Sequence, residues 1–281
     1  MTRVLLITGD HPRHLHAVVS IASVHEIAGW IIEAREPILP TIPISDSFID
    51  AELKEFWDLH FQARYTSEYR FFVNECDEFD LTSAKSMDSL SSRILRVDKD
   101  SLNSTSTIAF VRETNADVAI SYGCHVLRKN FLDEMPIEKY NIHGGLSPWY
   151  RGCITHFWPS YLLEPQMTGM TLHRLTHILD GGEIVHQNSA SLVRGDGLHD
   201  LACRTVRSFQ KELPSVITAI EKGDYQLNAQ KSSGKLWLAS DWNAQHLKLI
   251  YGFFQDRVVD YCLDAGKTAL TKKIIKLTCE S

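Results

Sequence analysis

The sequence predicts an α/β protein whose sheet is Rossmann-like, doubly wound and mostly parallel. Residues 4–8 form a continuous apolar run before Gly9, which is typical of a parallel strand buried on both faces. Residues 13–28 then have a helical pattern and residues 30–32 a strand pattern, so the chain opens with a βαβ unit. Ligands of such sheets bind beyond the carboxyl ends of the strands. No GxGxxG motif follows the first strand, and a dinucleotide cofactor is not expected.

The later segments alternate in the same way. Apolar periodicity and capping residues predict a long helix over about 47–72, a strand at 93–97, a helix at 101–115, a strand at 117–123, helices at 128–134 and 152–164, strands at 169–174 and 183–187, and a helix at 197–222. We expect one domain over residues 1–225, with the helical insert at about 47–72. A small C-terminal region follows over residues 226–281.

Composition narrows the class of protein. The 281 residues carry a net charge of −6, which argues against a general nucleic-acid binder. The six cysteines form no CxxC pair, a usage typical of reduced thiols in a cytoplasmic protein. The sequence has no pattern of a signal peptide or of a membrane span. We therefore expect a cytoplasmic protein that acts on small molecules.

The most informative motif joins an amide, an imidazole and a carboxylate. Asn141 and His143 are two residues apart at the end of a short strand, so both side chains point to one face. Asp180 follows in a turn with two glycines. An amide can stabilise an oxyanion, a histidine can move a proton, and a carboxylate can orient that histidine. Alone, His143 would more often be structural, and Asp180 could simply cap its own turn.

Residues 141–152 resemble the signature loop of the formyltransferases that use 10-formyltetrahydrofolate, in which Asn-Ile/Val-His precedes a proline and an Arg-Gly pair. Residues 169–172 and 178–184 are similar to the second signature of that family. The resemblance implies that Asn141, His143 and Asp180 are catalytic. Asn141 and His143 would donate to the oxyanion, and Asp180 would orient the imidazole, raise its pKa and pass a proton out through a water.

The same resemblance implies a slot for the folate donor between two segments. One follows the strand before the catalytic strand, and the other precedes Asp180. The implied folate-binding residues are Tyr122, Gly123, His125, Val126, Leu127, Leu175, Thr176, His177, Ile178 and Leu179. A flat pterin suits a slot in which backbone groups contact its polar edge. Thr176 and His177 stand where the family often has acidic residues, and Val126 and Leu127 could equally belong to the core.

The turn after the first strand is a candidate anion site. Arg13 and His14 lie at a helix N-terminus beyond a strand end, where backbone N–H groups favour phosphate. They could equally be solvated polar residues. We expect no metal ion here, because His14 and His16 face different sides of the helix and no cysteine joins them.

A second candidate wall for the acceptor comprises Trp149, Tyr150 and Arg151. Aromatic rings stack on bases and sugars, although packing or an ion pair would also explain these residues. The length and the insert are most similar to sugar N-formyltransferases, which act on nucleotide-linked amino sugars for surface polysaccharides. This resemblance implies that residues 1–225 are the catalytic domain and that residues 226–281 serve to form a homodimer. The alternatives are methionyl-tRNA, glycinamide ribonucleotide or another small amine as acceptor, a formyltetrahydrofolate hydrolase, or a binding protein without catalysis.

Overall fold

The structure is a computed structural model that describes residues 1–35, 51–74, 90–91, 93–231 and 234–277. The strands in these ranges are Arg3–Gly9 (β1), Glu26–Glu33 (β2), Ile94–Val97 (β3), Val118–Tyr122 (β4), Glu138–His143 (β5), Tyr150–Gly152 (β6), Gly169–Arg174 (β7), Ile184–Ser189 (β8) and Lys235–Trp237 (β9). The α-helices are Pro12–Ala22 (α1), Ala51–Tyr69 (α2), Thr105–Thr114 (α3), Lys129–Leu132 (α4), Phe157–Tyr161 (α5), Leu198–Lys222 (α6) and Val258–Asp264 (α7). None of the described helices is both long enough and apolar enough to span a membrane.

One seven-stranded sheet organises the fold, in the order β3-β2-β1-β4-β5-β7-β8. The five strands from β3 to β5 are parallel to their neighbours. β7 and β8 extend this sheet in the antiparallel sense. The predicted α/β class with a mostly parallel, doubly wound sheet is confirmed.

The two faces of the sheet are covered by different helices. Val4 and Leu6 of β1 point into a core that also contains side chains of α1 and α6. Leu5 and Ile7 point to the other face, toward side chains of α3. Because successive side chains of a strand alternate, a strand covered on both faces must be apolar throughout. This requirement explains the uninterrupted apolar run near the N-terminus.

The predicted boundary between α1 and β2 is wrong by several residues. The helix ends at Ala22 instead of residue 28, and β2 begins at Glu26 instead of residue 30. Glu26 pairs with Arg3 in the parallel register, and the Arg3 guanidinium also contacts the Glu26 carboxylate at 2.9 Å. Pairing with β1 therefore makes residues 26–28 part of the strand, although their local pattern is also compatible with a helix.

The predicted helix over residues 152–164 is also wrong. Gly152 has φ of 92° and Ile154 has φ of 55°, and left-handed backbone at two positions prevents a continuous helix. Instead, β6 pairs with β9 of the C-terminal region, and only Phe157–Tyr161 is helical. The chain after β5 is thus largely a loop that β6 ties to a later segment.

The insert is a helix, as expected, and continues as a π-helix over Arg70–Asn74. Its predicted start at residues 47–50 lies outside the described residues. α2 contacts α6 and the C-terminal segment. Trp57 and Phe61 pack there with Trp242 and Tyr251 in a second apolar core. This packing holds the opposite side of α2 over the carboxyl ends of the central strands.

Candidate active site

A cavity of about 640 Å³ opens beyond the carboxyl ends of β1, β4 and β5. Its wall includes residues of α2 and α6 and of the loop between β7 and β8. Asn141, His143 and Asp180 all lie on this wall. The cavity therefore occupies the position at which open α/β sheets bind their ligands.

Asn141 is held in one orientation by two neighbours. Its Oδ1 accepts a hydrogen bond of 2.8 Å from the Ser121 hydroxyl on β4. Its Nδ2 lies 3.3 Å from Nε2 of His173 on β7, which is paired with Asn141 in the sheet register. Since Nδ2 carries two hydrogens, one N–H is left to serve a developing negative charge in the cavity. Asn141 can thus act as an oxyanion donor.

His143 has a defined tautomer. Its Nε2 lies 2.8 Å from the carbonyl oxygen of Tyr150, which can only accept, so Nε2 carries the proton. Nδ1 of the neutral ring then has a free lone pair, 3.5 Å from Oδ1 of Asp180. Gly145 makes this arrangement possible, because a Cβ there would lie 2.4 Å from the Tyr150 oxygen and 2.8 Å from Nε2. His143 is therefore set to accept a proton at Nδ1.

Asp180 is fixed by groups from both sides of the site. Its Oδ2 accepts a hydrogen bond of 3.0 Å from the Gly152 N–H. Its Oδ1 lies 3.5 Å from His143 Nδ1 and 3.6 Å from His173 Nε2. The carboxylate can therefore stabilise positive charge on either imidazole.

The backbone around Asp180 is tightly held. Asp180 has φ of 47°, in the left-handed region. The Gln230 amide donates to the carbonyl oxygens of Asp180 at 2.8 Å and of Gly182 at 2.6 Å. A Cβ at Gly182 would lie only 1.8 Å from the Arg174 carbonyl oxygen, so the tight turn requires glycine. These contacts keep the carboxylate in place at the cavity wall.

The electrostatics of the site give a neutral imidazole beside a charged carboxylate. Burial lowers the pKa of His143 below 6.5, and the opposing attraction of Asp180 does not compensate for it. Burial alone would raise the pKa of Asp180, but the neighbouring His173 and His143 lower it below 3.8. The expected influence of Asp180 on His143 has the right direction, but the expectation of a raised pKa for His143 is wrong, because desolvation is the larger effect.

The lowered pKa of His143 predicts how the reaction depends on pH. Only the neutral ring has a lone pair on Nδ1, so raising the pH through this pKa restores the base. The kcat/KM for the donor should rise with pH below 6.5 and level off above it. A pH–rate profile checks this expectation. An acid limb with its midpoint above 6.5 would contradict the neutral state assigned to His143.

His173 and Ser121 are site residues that the sequence did not predict. Both lie on the cavity wall and contact Asn141, and His173 also contacts Asp180. His173 was inside a predicted strand, but its position opposite Asn141 depends on β7 pairing with β5. A polar residue in a strand otherwise buried was the available signal.

The Asn141→Ala substitution tests the oxyanion donor. We expect kcat to fall by about 10²- to 10³-fold, because one preorganised donor is lost in the transition state. The KM for the donor should change little, since the Asn141 N–H acts on charge that develops during the reaction. Steady-state kinetics measure both quantities. An increase in the KM for the donor with an unchanged kcat would contradict this role.

All ten residues that the family resemblance implied for folate binding lie on the cavity wall. They form two facing segments, residues 122–127 and 175–179. Val126, Ile178 and Leu179 expose 72%, 53% and 54% of their surface, so the rims of this slot are apolar and accessible. An apolar slot of this kind fits a flat aromatic ring system. Folate binding by these residues stays a prediction.

The five residues predicted to bind the acceptor fall into two groups. Arg13 and His14 lie on the cavity wall. Trp149, Tyr150 and Arg151 are not among the residues that line it. Tyr150 is buried, with its hydroxyl 3.2 Å from Glu164, and it serves the site through its backbone carbonyl.

The Arg151 side chain supports the site from behind the wall. Its guanidinium donates to the Leu179 carbonyl at 2.7 Å and so holds the loop that carries Asp180. The Trp149 ring packs against the second apolar core. These two contacts indicate positions that shape the site, while any direct contact with an acceptor stays a prediction.

Residues 78–217 match the sequence model of the formyl transferase family. This span contains Asn141, His143 and Asp180. The chain carries a formyl transferase domain. The resemblance seen in the two signature loops therefore extends across the part of the sheet that bears the site.

Solved structures of formyltransferases share the fold. A sugar N-formyltransferase from Shewanella sp. has a TM-score of 0.55 at 14% identity, over 88% of this chain and 87% of that chain. The phosphoribosylglycinamide formyltransferase from Anaplasma phagocytophilum has a TM-score of 0.53 at 17% identity, over 84% of this chain and 97% of that chain. A 4-N formyltransferase from Francisella tularensis has a TM-score of 0.52 at 15% identity, over 85% of this chain and 78% of that chain. At these identities the similarity establishes the fold alone.

Proposed function

We propose that this protein transfers the formyl group of 10-formyltetrahydrofolate to the primary amine of a nucleotide-linked amino sugar, in the synthesis of a surface polysaccharide. The convergence of Asn141, His143 and Asp180 on the wall of one large cavity carries this proposal. The formyl transferase domain supplies the reaction class. The folate donor and the sugar acceptor belong to the proposal, as do the roles of the individual residues.

In the proposed reaction the amine nitrogen attacks the formyl carbon, the bond from that carbon to N10 breaks, and an amide bond forms. Asn141 donates its free Nδ2 hydrogen to the developing oxyanion. His143 accepts the proton of the amine at Nδ1, and Asp180 stabilises the resulting imidazolium across 3.5 Å. The proton then passes to N10 of the leaving folate, so the enzyme ends in its starting state.

Neutral His143 has no N–H to offer the oxyanion, because its Nε2 hydrogen is used by Tyr150. The sequence had suggested that both Asn141 and His143 donate. The tautomer of His143 instead favours separate roles, in which Asn141 donates the hydrogen bond to the oxyanion and His143 acts as the base. His143 could donate from Nδ1 only after it has taken up a proton.

The lining of the cavity supports separate places for a donor and an acceptor. The slot of residues 122–127 and 175–179 forms one part of the wall. Another part, which we call the acceptor side, carries polar side chains of α1, α2 and α6, including Arg64 and His199. A polar wall suits a sugar and its phosphates better than it suits a pterin. The insert thereby adds to the acceptor side of the site.

An acceptor panel tests the proposal. The protein is incubated with 10-formyltetrahydrofolate and, separately, with nucleotide-linked amino sugars, glycinamide ribonucleotide and methionyl-tRNA, while release of tetrahydrofolate is followed. Release that depends on an amino sugar supports the proposal. Release only with glycinamide ribonucleotide or methionyl-tRNA keeps the chemistry and rejects the sugar. Release without any acceptor identifies a hydrolase.

A further inference from the structure

The acceptor side of the cavity contains a charged cluster that joins α1 to the insert helix. We call it the Glu68 cluster, and it consists of His11, Arg13, Arg64 and Glu68. Glu68 Oε1 accepts from Arg13 Nη1 at 2.7 Å and from Arg64 Nε at 3.1 Å. Glu68 Oε2 lies 3.1 Å from His11 Nε2. One buried carboxylate thus holds two guanidinium groups from different helices side by side.

His11 is a neutral member of this cluster. Burial lowers its pKa, although Glu68 opposes the change. Its Nδ1 accepts a hydrogen bond of 3.2 Å from the Arg13 backbone N–H, so its proton is on Nε2 and faces Glu68. Burial alone would raise the pKa of Glu68, but the His11 hydrogen bond and the two arginines lower it strongly. The cluster therefore carries two positive charges against one negative charge.

Among the described residues of the cavity wall, no other ionised group on this side cancels the excess positive charge. Burial lowers the pKa of His60 to about 3, and it lowers the pKa values of His14 and His199 well below 6.5. All three rings are therefore neutral. Among the described residues of the wall, the other carboxylate is that of Asp180, which is engaged with His143 and His173. This side of the cavity is built for an anion.

Both arginines keep N–H groups available. Arg13 uses Nη1 for Glu68 and Nε for His14 Nε2 at 3.2 Å, and Arg64 uses Nε for Glu68. Within the described part of the chain, Arg13 Nη2 and both terminal nitrogens of Arg64 make no hydrogen bond. The side chains of Arg13 and Arg64 are 31% and 25% exposed, and both lie on the cavity wall. Planar guanidinium groups with free N–H pairs suit the oxygens of a phosphate.

We propose that Arg13 and Arg64 together bind a phosphate group of the amine acceptor, and that Glu68 positions both guanidinium groups for it. The site rests on the proposed function for the identity of its ligand as an acceptor. It assigns a role to the insert helix, which supplies both Arg64 and Glu68. The sequence predicted an anion site formed by Arg13 and His14. In the proposed site Arg64 takes the place of His14, because Nε2 of His14 already accepts a hydrogen bond from Arg13.

Calorimetric titration with inorganic phosphate and with pyrophosphate tests the site without any formyl donor. The Arg64→Gln variant should bind these probes about ten- to a hundredfold more weakly than the wild type, because a charge-assisted contact is lost. Lys54→Gln is the matched control, since Lys54 lies on the same helix, is 62% exposed and pairs with Asp58 away from the cavity. It should bind as the wild type does.

The two probes distinguish the possible sources of the phosphate. Preferential binding of pyrophosphate indicates the diphosphate of a nucleotide-linked acceptor, and equal binding of phosphate indicates a monoester. Equal affinity of wild type and Arg64→Gln for both probes would overturn the proposal, as would the absence of binding to the wild type. Arg64→Lys keeps the charge but loses the planar group, so its affinity should lie between those of the wild type and Arg64→Gln.

Tetrahydrofolate binding separates this proposal from the proposed function. Arg64→Gln should bind tetrahydrofolate as the wild type does, because Arg64 is on α2 and the slot consists of residues 122–127 and 175–179. If the acceptor panel yields no transfer but the anion titration shows the expected difference, the phosphate site stands and the proposed reaction fails. Transfer to an amino sugar with equal kinetics in Arg64→Gln and wild type would sustain the reaction and reject the site.

Discussion

The His143→Ala variant should lose formyl transfer almost completely. His143 lines the cavity, and its neutral lone pair at Nδ1 lies next to the Asp180 carboxylate. Loss of a positioned general base lowers the rate by about 10²- to 10⁴-fold, so kcat should decrease by a factor in this range. The measurement is transfer of formyl to the acceptor identified by the panel, at saturating donor.

A folding defect must be separated from this catalytic loss. His143→Ala should still bind tetrahydrofolate, because the slot residues are on separate segments. His16→Ala is a suitable control, since His16 is a partly buried histidine that contacts Gln210 at 2.7 Å and does not line the cavity. It should retain activity. Near-normal kcat in His143→Ala would remove the base from the proposed mechanism.

The Asp180→Asn variant should be impaired to a similar degree. Asparagine has the same size and can still accept from the Gly152 N–H, so the loop should keep its shape. The negative charge that stabilises protonated His143 across 3.5 Å is lost. We expect kcat to fall by about 10²-fold or more, because proton uptake by the base becomes less favourable. Steady-state kinetics measure the loss.

The pH dependence of Asp180→Asn provides a sharper readout than its rate alone. Asp180 raises the pKa of His143 against the larger effect of burial. Without this charge, the pKa of His143 falls further and the acid limb moves to lower pH. Asp58→Asn, an exposed carboxylate on the insert helix, should leave the profile unchanged. An unshifted acid limb together with near-normal turnover would contradict the assigned role of Asp180.

The parts of the fold that follow from local periodicity could be predicted from the sequence. The apolar run of β1 requires cover on both faces, and the helical pattern of α6 matches its observed bounds closely. The spacing of Asn141 and His143 placed both on one face, and the structure brings Asp180 to them. Such features depend on neighbouring residues in the chain, and their physical cause is local.

Features that depend on contacts between distant segments could not be predicted. The Tyr150 carbonyl sets the tautomer of His143, and the Gln230 amide holds the backbone of Asp180. The lowered pKa of His143 results from burial by many segments together. The Glu68 cluster requires the insert helix to lie beside the start of α1, which no sequence pattern specifies.

A labelled formyl group provides the most direct test of the proposed transfer reaction. The protein is given 10-formyltetrahydrofolate labelled in the formyl carbon together with the panel of amines, and the label is traced with the wild type and with His143→Ala. We predict that the label appears in an amide of an amino-sugar acceptor, in step with the release of tetrahydrofolate, and that His143→Ala suppresses this incorporation. Label found only as free formate, or incorporated equally well by His143→Ala, would contradict it.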